Sequence, residues 1–148
     1  MSRAIFGPSG GVGGHPFDDE PYLEHARLSE IRVWSGYAIN AVQLLFDIDG
    51  DAVESRKHGG HSGSIGTLRL DDGEYLTEIY GRYGSYVESL CLRTNRGQIR
   101  RFGGQGGSNE FVYLAPQGFQ ITGFWGCAGE MIDSIGVHIA PVSVASDH

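Results

Sequence analysis

One short pattern recurs three times in this chain: a glycine, three residues, an oxygen-bearing side chain, a small residue and an aliphatic one. The copies are Gly36-Tyr37-Ala38-Ile39-Asn40-Ala41-Val42, Gly84-Ser85-Tyr86-Val87-Glu88-Ser89-Leu90 and Gly129-Glu130-Met131-Ile132-Asp133-Ser134-Ile135. A second motif also occurs three times: Gly10-Gly11-Val12-Gly13-Gly14, Gly59-Gly60-His61-Ser62-Gly63 and Gly103-Gly104-Gln105-Gly106-Gly107. Together these loops offer hydrogen bonding rather than bond-making. Gly129 permits a tight turn whose N–H groups at Glu130 and Met131 point outward, and Asp133 supplies a carboxylate that accepts two hydrogen bonds at once. Gly14 adds an N–H with no side chain to block approach. Several donors around one double acceptor suit the vicinal hydroxyls of a hexose, whereas a phosphate would be repelled by Asp133.

Taken singly, a glycine cluster among strands is a turn, and an Asp opening a strand ties down its own backbone. Repeats can also be purely architectural. The spacing argues for more. The last glycines of the clusters, Gly14, Gly63 and Gly107, are 49 and 44 positions apart, and the first glycines of the other motif, Gly36, Gly84 and Gly129, are 48 and 45 apart. Two motifs sharing one period imply three similar units about a pseudo-threefold axis. In two units Asn40 precedes Gly63 and Glu88 precedes Gly107. The third combines Gly14, near the start, with Gly129–Asp133, near the end, so the two ends of the chain must pair. Such pairing also hides edge strands.

The elements that must position these loops are strands. No stretch shows helical apolar spacing, and glycines interrupt every candidate. Short β-branched or aromatic runs appear at 31–34, 41–48, 67–70, 75–80, 87–94, 98–102, 111–114, 119–124 and 133–139. Turns of the hairpin kind separate them, at Asp49-Gly50, Asp71-Asp72-Gly73, Asn95-Arg96-Gly97 and Pro116-Gln117-Gly118. The expected class is all-β, a sandwich, barrel or prism, with Leu76, Ile79, Leu90, Leu92, Ile121, Phe124 and Ile135 in the core.

Composition bounds the function. The 148 residues fit one domain, 1–148 with a core of about 5–141, and 40% hydrophobic with 20% charged residues excludes a disordered tail. Eleven Lys and Arg against 18 Asp and Glu leave a net charge of −7, which argues against tracking a nucleic-acid backbone. No apolar run is long enough for a membrane-spanning helix, so no membrane insertion is expected. The first residues lack a hydrophobic signal core, and two cysteines, Cys91 and Cys127, make no disulfide framework. The expectation is therefore a cytoplasmic protein with free thiols, with non-classical export the alternative.

Larger segments carry a family resemblance. Phe6-Gly-Pro-Ser-Gly-Gly-Val-Gly-Gly-His-Pro-Phe-Asp-Asp19, Asp72-Gly-Glu-Tyr-Leu76, Leu92-Arg-Thr-Asn95 and Ile121-Thr-Gly-Phe-Trp-Gly-Cys-Ala-Gly-Glu-Met-Ile-Asp-Ser-Ile-Gly-Val-His138 occur in this order. In that order they make the chain resemble a jacalin-related lectin from about Ile5 to Pro141. The resemblance implies a β-prism of three four-stranded Greek-key sheets, non-catalytic sugar binding, and no bound metal or cofactor. It places a primary carbohydrate site at Gly14, Gly129, Glu130, Met131 and Asp133. The corresponding second set is Gly36, Tyr37, Ala38, Asn40 and Gly63, and the third is Gly84, Ser85, Tyr86, Glu88 and Gly107. Asn40 lacks the charge that strengthens an acceptor, and Glu88 carries its charge one methylene further out, by about 1.5 Å. Asp133 is thus expected to be the best acceptor. The uninterrupted segment ahead of the first glycine loop resembles the mannose/glucose-binding branch more than the processed galactose-binding one. Mannose- or glucose-containing glycans are the implied partners, and dimerisation through sheet faces is the implied assembly.

Other signals point elsewhere or nowhere. His58-Gly-Gly-His61 lacks the further ligands a zinc site needs and reads as two exposed histidines. Asp47-Ile-Asp-Gly-Asp51 misses the calcium-loop positions and reads as a hairpin turn. No glycine cluster is followed by Lys-Ser/Thr or a helix, which argues against nucleotide binding. Arg93, Arg96, Arg100 and Arg101 read as a solvated basic face, otherwise as a partner or sugar-acid contact. Trp34 and Trp125 are expected in core or interface packing rather than in sugar stacking. Two other function classes fit the sequence less well. A glycoside hydrolase needs two carboxyls facing each other across one bond, and the acids here fall on different repeats. An assembly module would use the prism as a scaffold without binding sugar.

Overall fold

The computed structural model describes residues 3–142. The outermost positions of the expected domain, 1–2 and 143–148, lie outside them. Thirteen strands carry the fold: β1 (Ala4–Gly10), β2 (His15–Asp18), β3 (Ala26–Ser35), β4 (Ile39–Ile48), β5 (Asp51–Glu54), β6 (His58–Gly59), β7 (Ser64–Arg69), β8 (Leu76–Tyr83), β9 (Val87–Thr94), β10 (Ile99–Gly103), β11 (Asn109–Leu114), β12 (Phe119–Ala128) and β13 (Ile132–Pro141). A 3-10 turn over Glu20–Tyr22 is the one helical element among the described residues.

The ladders divide into three antiparallel units. In one, β3 and β4 form the central hairpin, β5 and β6 pair with β4, and β7 pairs with β3. In the next, the order is β11-β8-β9-β10. In the last, β2 pairs with β12, β12 with β13, and β13 with β1. Each unit has the Greek-key order 4-1-2-3, counted in the last one from β12 through the junction of the two ends. A single bridge, Ile121 to Leu76, joins two of the units into one sheet. The all-β prism of three four-stranded Greek keys is therefore present, with its ends paired as the repeat spacing required.

All seven expected core residues have zero exposure, and Ile31, Ile39, Val87 and Ile132 join them. At roughly 1.5–3 kcal/mol for each fully buried aliphatic or aromatic side chain, this shared interior is what holds the three units together. The Asp49-Gly50 turn is a two-residue hairpin with both φ angles positive, 53° and 89°, and the Asp47 carboxylate accepts the Gly50 N–H at 2.9 Å. This settles the acidic run as a hairpin.

Sequence patterning missed β1, β2, β5 and β6. β1 and β2 contain Pro8 and Pro16, tolerated because each strand bonds to one neighbour only. The expected strand starts also differ: 75–80 is really Leu76–Tyr83 and 31–34 is really Ala26–Ser35. The cause is a pair of β-bulges in each central hairpin. Register shifts fall at Leu28/Glu30, Leu76/Glu78 and Ile121/Gly123, and again at Trp34/Ser35, Arg82/Tyr83 and Cys127/Ala128. A bulge breaks strict alternation and turns the strand; the second set stands immediately before each Gly-x-x-x-acceptor loop.

The far end of the prism is tied by a buried acid. Glu74 is 5% exposed and accepts hydrogen bonds from Thr94 Oγ1 (2.7 Å), Gln98 Nε2 (3.0 Å) and the Asp71 N–H (3.1 Å). The Thr94 bond chiefly, with the others and nearby Arg96, holds its pKa below the ordinary glutamate value against the opposing effect of burial. Glu74→Ala should lower the unfolding free energy by about 2–4 kcal/mol in urea titrations, because three donors lose a charged acceptor. A depressed pKa in the folded state stabilises above the unfolded value of about 4.3 and stops doing so as pH falls through the folded value. The wild-type and variant proteins should therefore converge in stability on acidification.

Candidate carbohydrate site

Each acceptor faces the glycine loop of its own unit. A Cβ placed on Gly14 would lie 2.5 Å from Asp133 Oδ1, and one on Gly13 would lie 2.8 Å from Oδ2. A Cβ on Gly63 would lie 2.7 Å from Asn40 Oδ1, and one on Gly106 would lie 2.3 Å from Glu88 Oε1. The three pairings anticipated from the spacing are thus all in contact. One detail differs: Glu88, with its extra methylene, lies against Gly106 rather than Gly107. The Cβ of a residue at Gly107 would meet the Tyr83 backbone at 2.9 Å instead.

The backbone repeats with the same symmetry. Gly11, Gly60 and Gly104 donate to the carbonyls of Asp133, Asn40 and Glu88 at 2.9, 3.0 and 3.0 Å. Gly129, Gly36 and Gly84 donate to the carbonyls of Met131, Ala38 and Tyr86 at 2.9, 3.0 and 3.0 Å, closing the three tight turns. Ile132, Ile39 and Val87 then bury completely and anchor each turn to the core. Gly14 has φ +83°, a conformation that side-chain-bearing residues rarely adopt, so both its geometry and its proximity to Asp133 require glycine.

The three loop pairs interlock at one end of the prism. Gly11 abuts the Ser85 carbonyl, Gly60 the Glu130 carbonyl and Gly104 the Tyr37 carbonyl, at hypothetical Cβ distances of 2.2, 2.3 and 2.5 Å. Each glycine loop therefore packs on the turn of the next unit. Gly36, Tyr37, Ala38, Asn40 and Gly63 line one depression of about 570 Å³, and Glu130 and Met131 of the primary set form its far wall. Glu130 is exposed and Met131 half-buried, while Tyr37 and Tyr86 are 77% and 41% exposed at the other two turns.

Asp133 is buried, 6% exposed. Removal from water raises its pKa, and the backbone amides of Gly129 and of Asp133 itself pull the other way with less effect. A desolvated carboxylate held within a rim of glycines is a strong acceptor for hydroxyl donors that reach it.

Beside this site lies a polar cluster that the sequence alone did not reveal. Asp19, fully buried, bonds His58 Nε2 at 2.7 Å and accepts the Phe124 N–H at 3.2 Å. His58 also stacks on Phe17, with ring centroids 4.3 Å apart. His58 is therefore not a solvent-exposed residue, a correction to the reading of His58 and His61; His61 is exposed. Neighbouring Asp18 pairs with His138 Nε2 at 2.6 Å. The only hint was Asp18-Asp19 at the end of the first family segment, since its partners lie 39 to 120 positions away.

The remaining expectations resolve as follows. Cys91 and Cys127 are free, the first buried and the second partly so. Trp125 is half-buried and donates to the Phe6 carbonyl at 3.3 Å, and Trp34 carries the Lys57 ammonium over its ring at 4.1 Å. Of the four arginines, Arg93, Arg96 and Arg101 are exposed and Arg100 is half-buried. Arg96 reaches the Asp72 carbonyl at 2.7 Å, Arg93 pairs with Glu78 at 3.4 Å, and Arg100 bonds the Thr67 carbonyl.

Comparison with known proteins follows the same outline. The family model described as a jacalin-like lectin domain matches residues 6–138. Jacalin-related lectin 3 of Arabidopsis thaliana is 33% identical over 150 residues, covering 95% of this chain and 24% of that protein. Horcolin of Hordeum vulgare is 34% identical over 150 residues, covering 95% of this chain and all of that protein. The chain thus spans about a quarter of the first relative and the whole of the second. Among solved structures, wild-type Malaysian banana lectin superposes with a TM-score of 0.82 at 30% identity, covering 95% of this chain and 100% of that one. A mannose-binding jacalin-related lectin from Ananas comosus gives 0.81 at 28% identity, covering 95% and 99%.

Proposed function

The chain belongs to the jacalin-like lectin family, a family of non-enzymatic carbohydrate-binding proteins, and from that membership we propose that it binds mannose- or glucose-type glycans at the seam where its two ends meet. The observation that carries the proposal is the enclosure of the Asp133 carboxylate by Gly13 and Gly14, at distances only glycine allows. In this reading Asp133 accepts from two vicinal hydroxyls of one ring. Gly14, Gly129, Glu130 and Met131 present main-chain groups around it. Donors alone would suit any anion, and the central carboxylate turns the preference toward a neutral polyol. The mannose-binding character of the pineapple lectin and of the other neighbours so named supports mannose as the first sugar to test.

Asn40 with Gly63 and Glu88 with Gly106 form weaker versions of the same site. A neutral amide makes hydrogen bonds roughly half as strong as a carboxylate does. Glu88 reaches past the last glycine of its loop. Three sites at one end, or self-association through sheet faces, would raise avidity for branched glycans by up to about 10²–10⁴.

Calorimetric titration with methyl α-mannoside, methyl α-glucoside and methyl α-galactoside gives both identity and stoichiometry. Mannoside and glucoside should bind and galactoside should not. A chain that binds none of them leaves only the assembly-scaffold reading. Asn40→Asp should increase the number of measurable sites by one, because it restores the charge beside Gly63, although Ser62 stands where the first loop has Gly13. Where the wild-type protein shows one site, an unchanged stoichiometry would show that the Asn40 depression is not a sugar site.

A further inference from the structure

We infer that the glycan this chain prefers is anionic, a mannose-type oligosaccharide carrying a phosphate or sulfate ester on the ring next to the one held at Asp133. The inference rests on the proposed sugar site and names its ligand class more narrowly. A second depression of about 440 Å³ adjoins that site, with Ala128 and Gly129 as the shared wall and His15, the residue after Gly14, at its edge. Its volume lies within the range of small-ligand pockets, about 300–1,000 Å³. Arg56, Lys57 and His58 also line it.

In a chain with net charge −7, Arg56 and Lys57 bring two positive charges together there, while His58 is paired with the buried Asp19. Among the ion pairs of the described residues, neither Arg56 nor Lys57 takes part. The Lys57 ammonium is held over the Trp34 ring at 4.1 Å, a contact that positions it without neutralising it. The Arg56 backbone is fixed by its N–H bond to Tyr22 Oη at 3.2 Å. One acid lines the depression, Asp18; its Oδ1 is engaged by His138 Nε2 at 2.6 Å and the Glu20 N–H at 2.9 Å, its side chain stays 52% exposed, and it leaves two cations against one anion there. Asp19 is fully buried behind His58 and does not present its charge to the depression. An acidic substituent on the Asp133-bound ring itself would meet that carboxylate, so the ester belongs on the adjoining ring.

Calorimetry with α1,2-mannobiose and with its 6-phosphate and 6-sulfate on the reducing-end ring tests the inference. The esters should bind about three- to tenfold more tightly than the neutral disaccharide at low salt, and the advantage should shrink in high salt. A phosphate-only or sulfate-only advantage identifies the ester. The double variant R56Q/K57Q should remove the advantage and leave neutral mannobiose affinity unchanged. Equal affinities in the wild-type protein, or an advantage that survives the double substitution, would overturn it. Loss of neutral mannobiose binding in the wild type would instead count against the sugar site itself, so the two failures are distinguishable.

Discussion

Asp133→Ala is expected to weaken methyl α-mannoside binding by at least about 30-fold, equivalent to about 2 kcal/mol, since two charge-assisted hydrogen bonds disappear together. Its stability should move little. Burial raises the Asp133 pKa, so the ionised side chain is disfavoured in the folded state relative to the unfolded one. By linkage, a raised folded pKa contributes stability below the unfolded value of about 3.9, and that contribution is lost as pH rises through the folded value. At neutral pH, removing the carboxylate therefore relieves a desolvation cost while it abolishes the acceptor. Urea unfolding should give a variant within about 1 kcal/mol of the wild type, or slightly more stable. The same group sets the pH profile of binding. Affinity should fall on acidification at a pH above the ordinary aspartate range, and Asp133→Asn should bind weakly with no such fall. A variant that unfolds readily while retaining sugar affinity would reverse the assignment of Asp133 from ligand acceptor to structural tie.

Asp19→Ala should produce the largest loss of stability, about 3–5 kcal/mol, because it leaves the His58 imidazole and the Phe124 N–H without their acceptor in a buried setting. The consequence reaches the binding end of the molecule. His58 opens β6, which leads through Gly59 and Gly60 into the second glycine loop, and Gly60 packs on the Glu130 carbonyl. Loosening His58 should therefore reduce sugar affinity as well as stability, whereas Asp133→Ala separates the two. Asp19→Asn, which keeps an acceptor oxygen, should lose appreciably less. Thermal denaturation of the two variants side by side provides the measurement. Equal, small losses for both would mean that the buried pair carries little of the fold's stability.

The legibility of this chain was uneven for physical reasons. The loop pairing could be read because each motif sits in a repeat of nearly constant period, and any closed threefold arrangement must then bring Gly14 to Asp133. The core could be read because Leu76, Ile79, Leu90 and Leu92 are bulky aliphatics that stand between polar or small neighbours within short strand-like runs. The edge strands β1, β2, β5 and β6 could not, although the more apolar edges β7, β10 and β11 could. Residues 4–10 and 15–18 bond on one side only, so proline and glycine are tolerated and the strand signature is weak. Strand ends were blurred by bulges at each Gly-x-x-x-acceptor loop, which shift the alternation by one residue. His58 was misread because its environment is set by Phe17 and Asp19, which are remote in sequence. Glu74 shows the same limitation, since its partners Thr94 and Gln98 lie across a hairpin.

The most direct test of the proposed site is a crystal structure of the protein grown with methyl α-mannoside. The predicted complex has one mannoside at the chain-end seam, two of its hydroxyls within hydrogen-bond distance of Asp133 Oδ1 and Oδ2, and its ring against Gly14 and the Gly129–Met131 turn. A mannoside found only elsewhere on the prism, with Asp133 bonded solely to backbone, would contradict it.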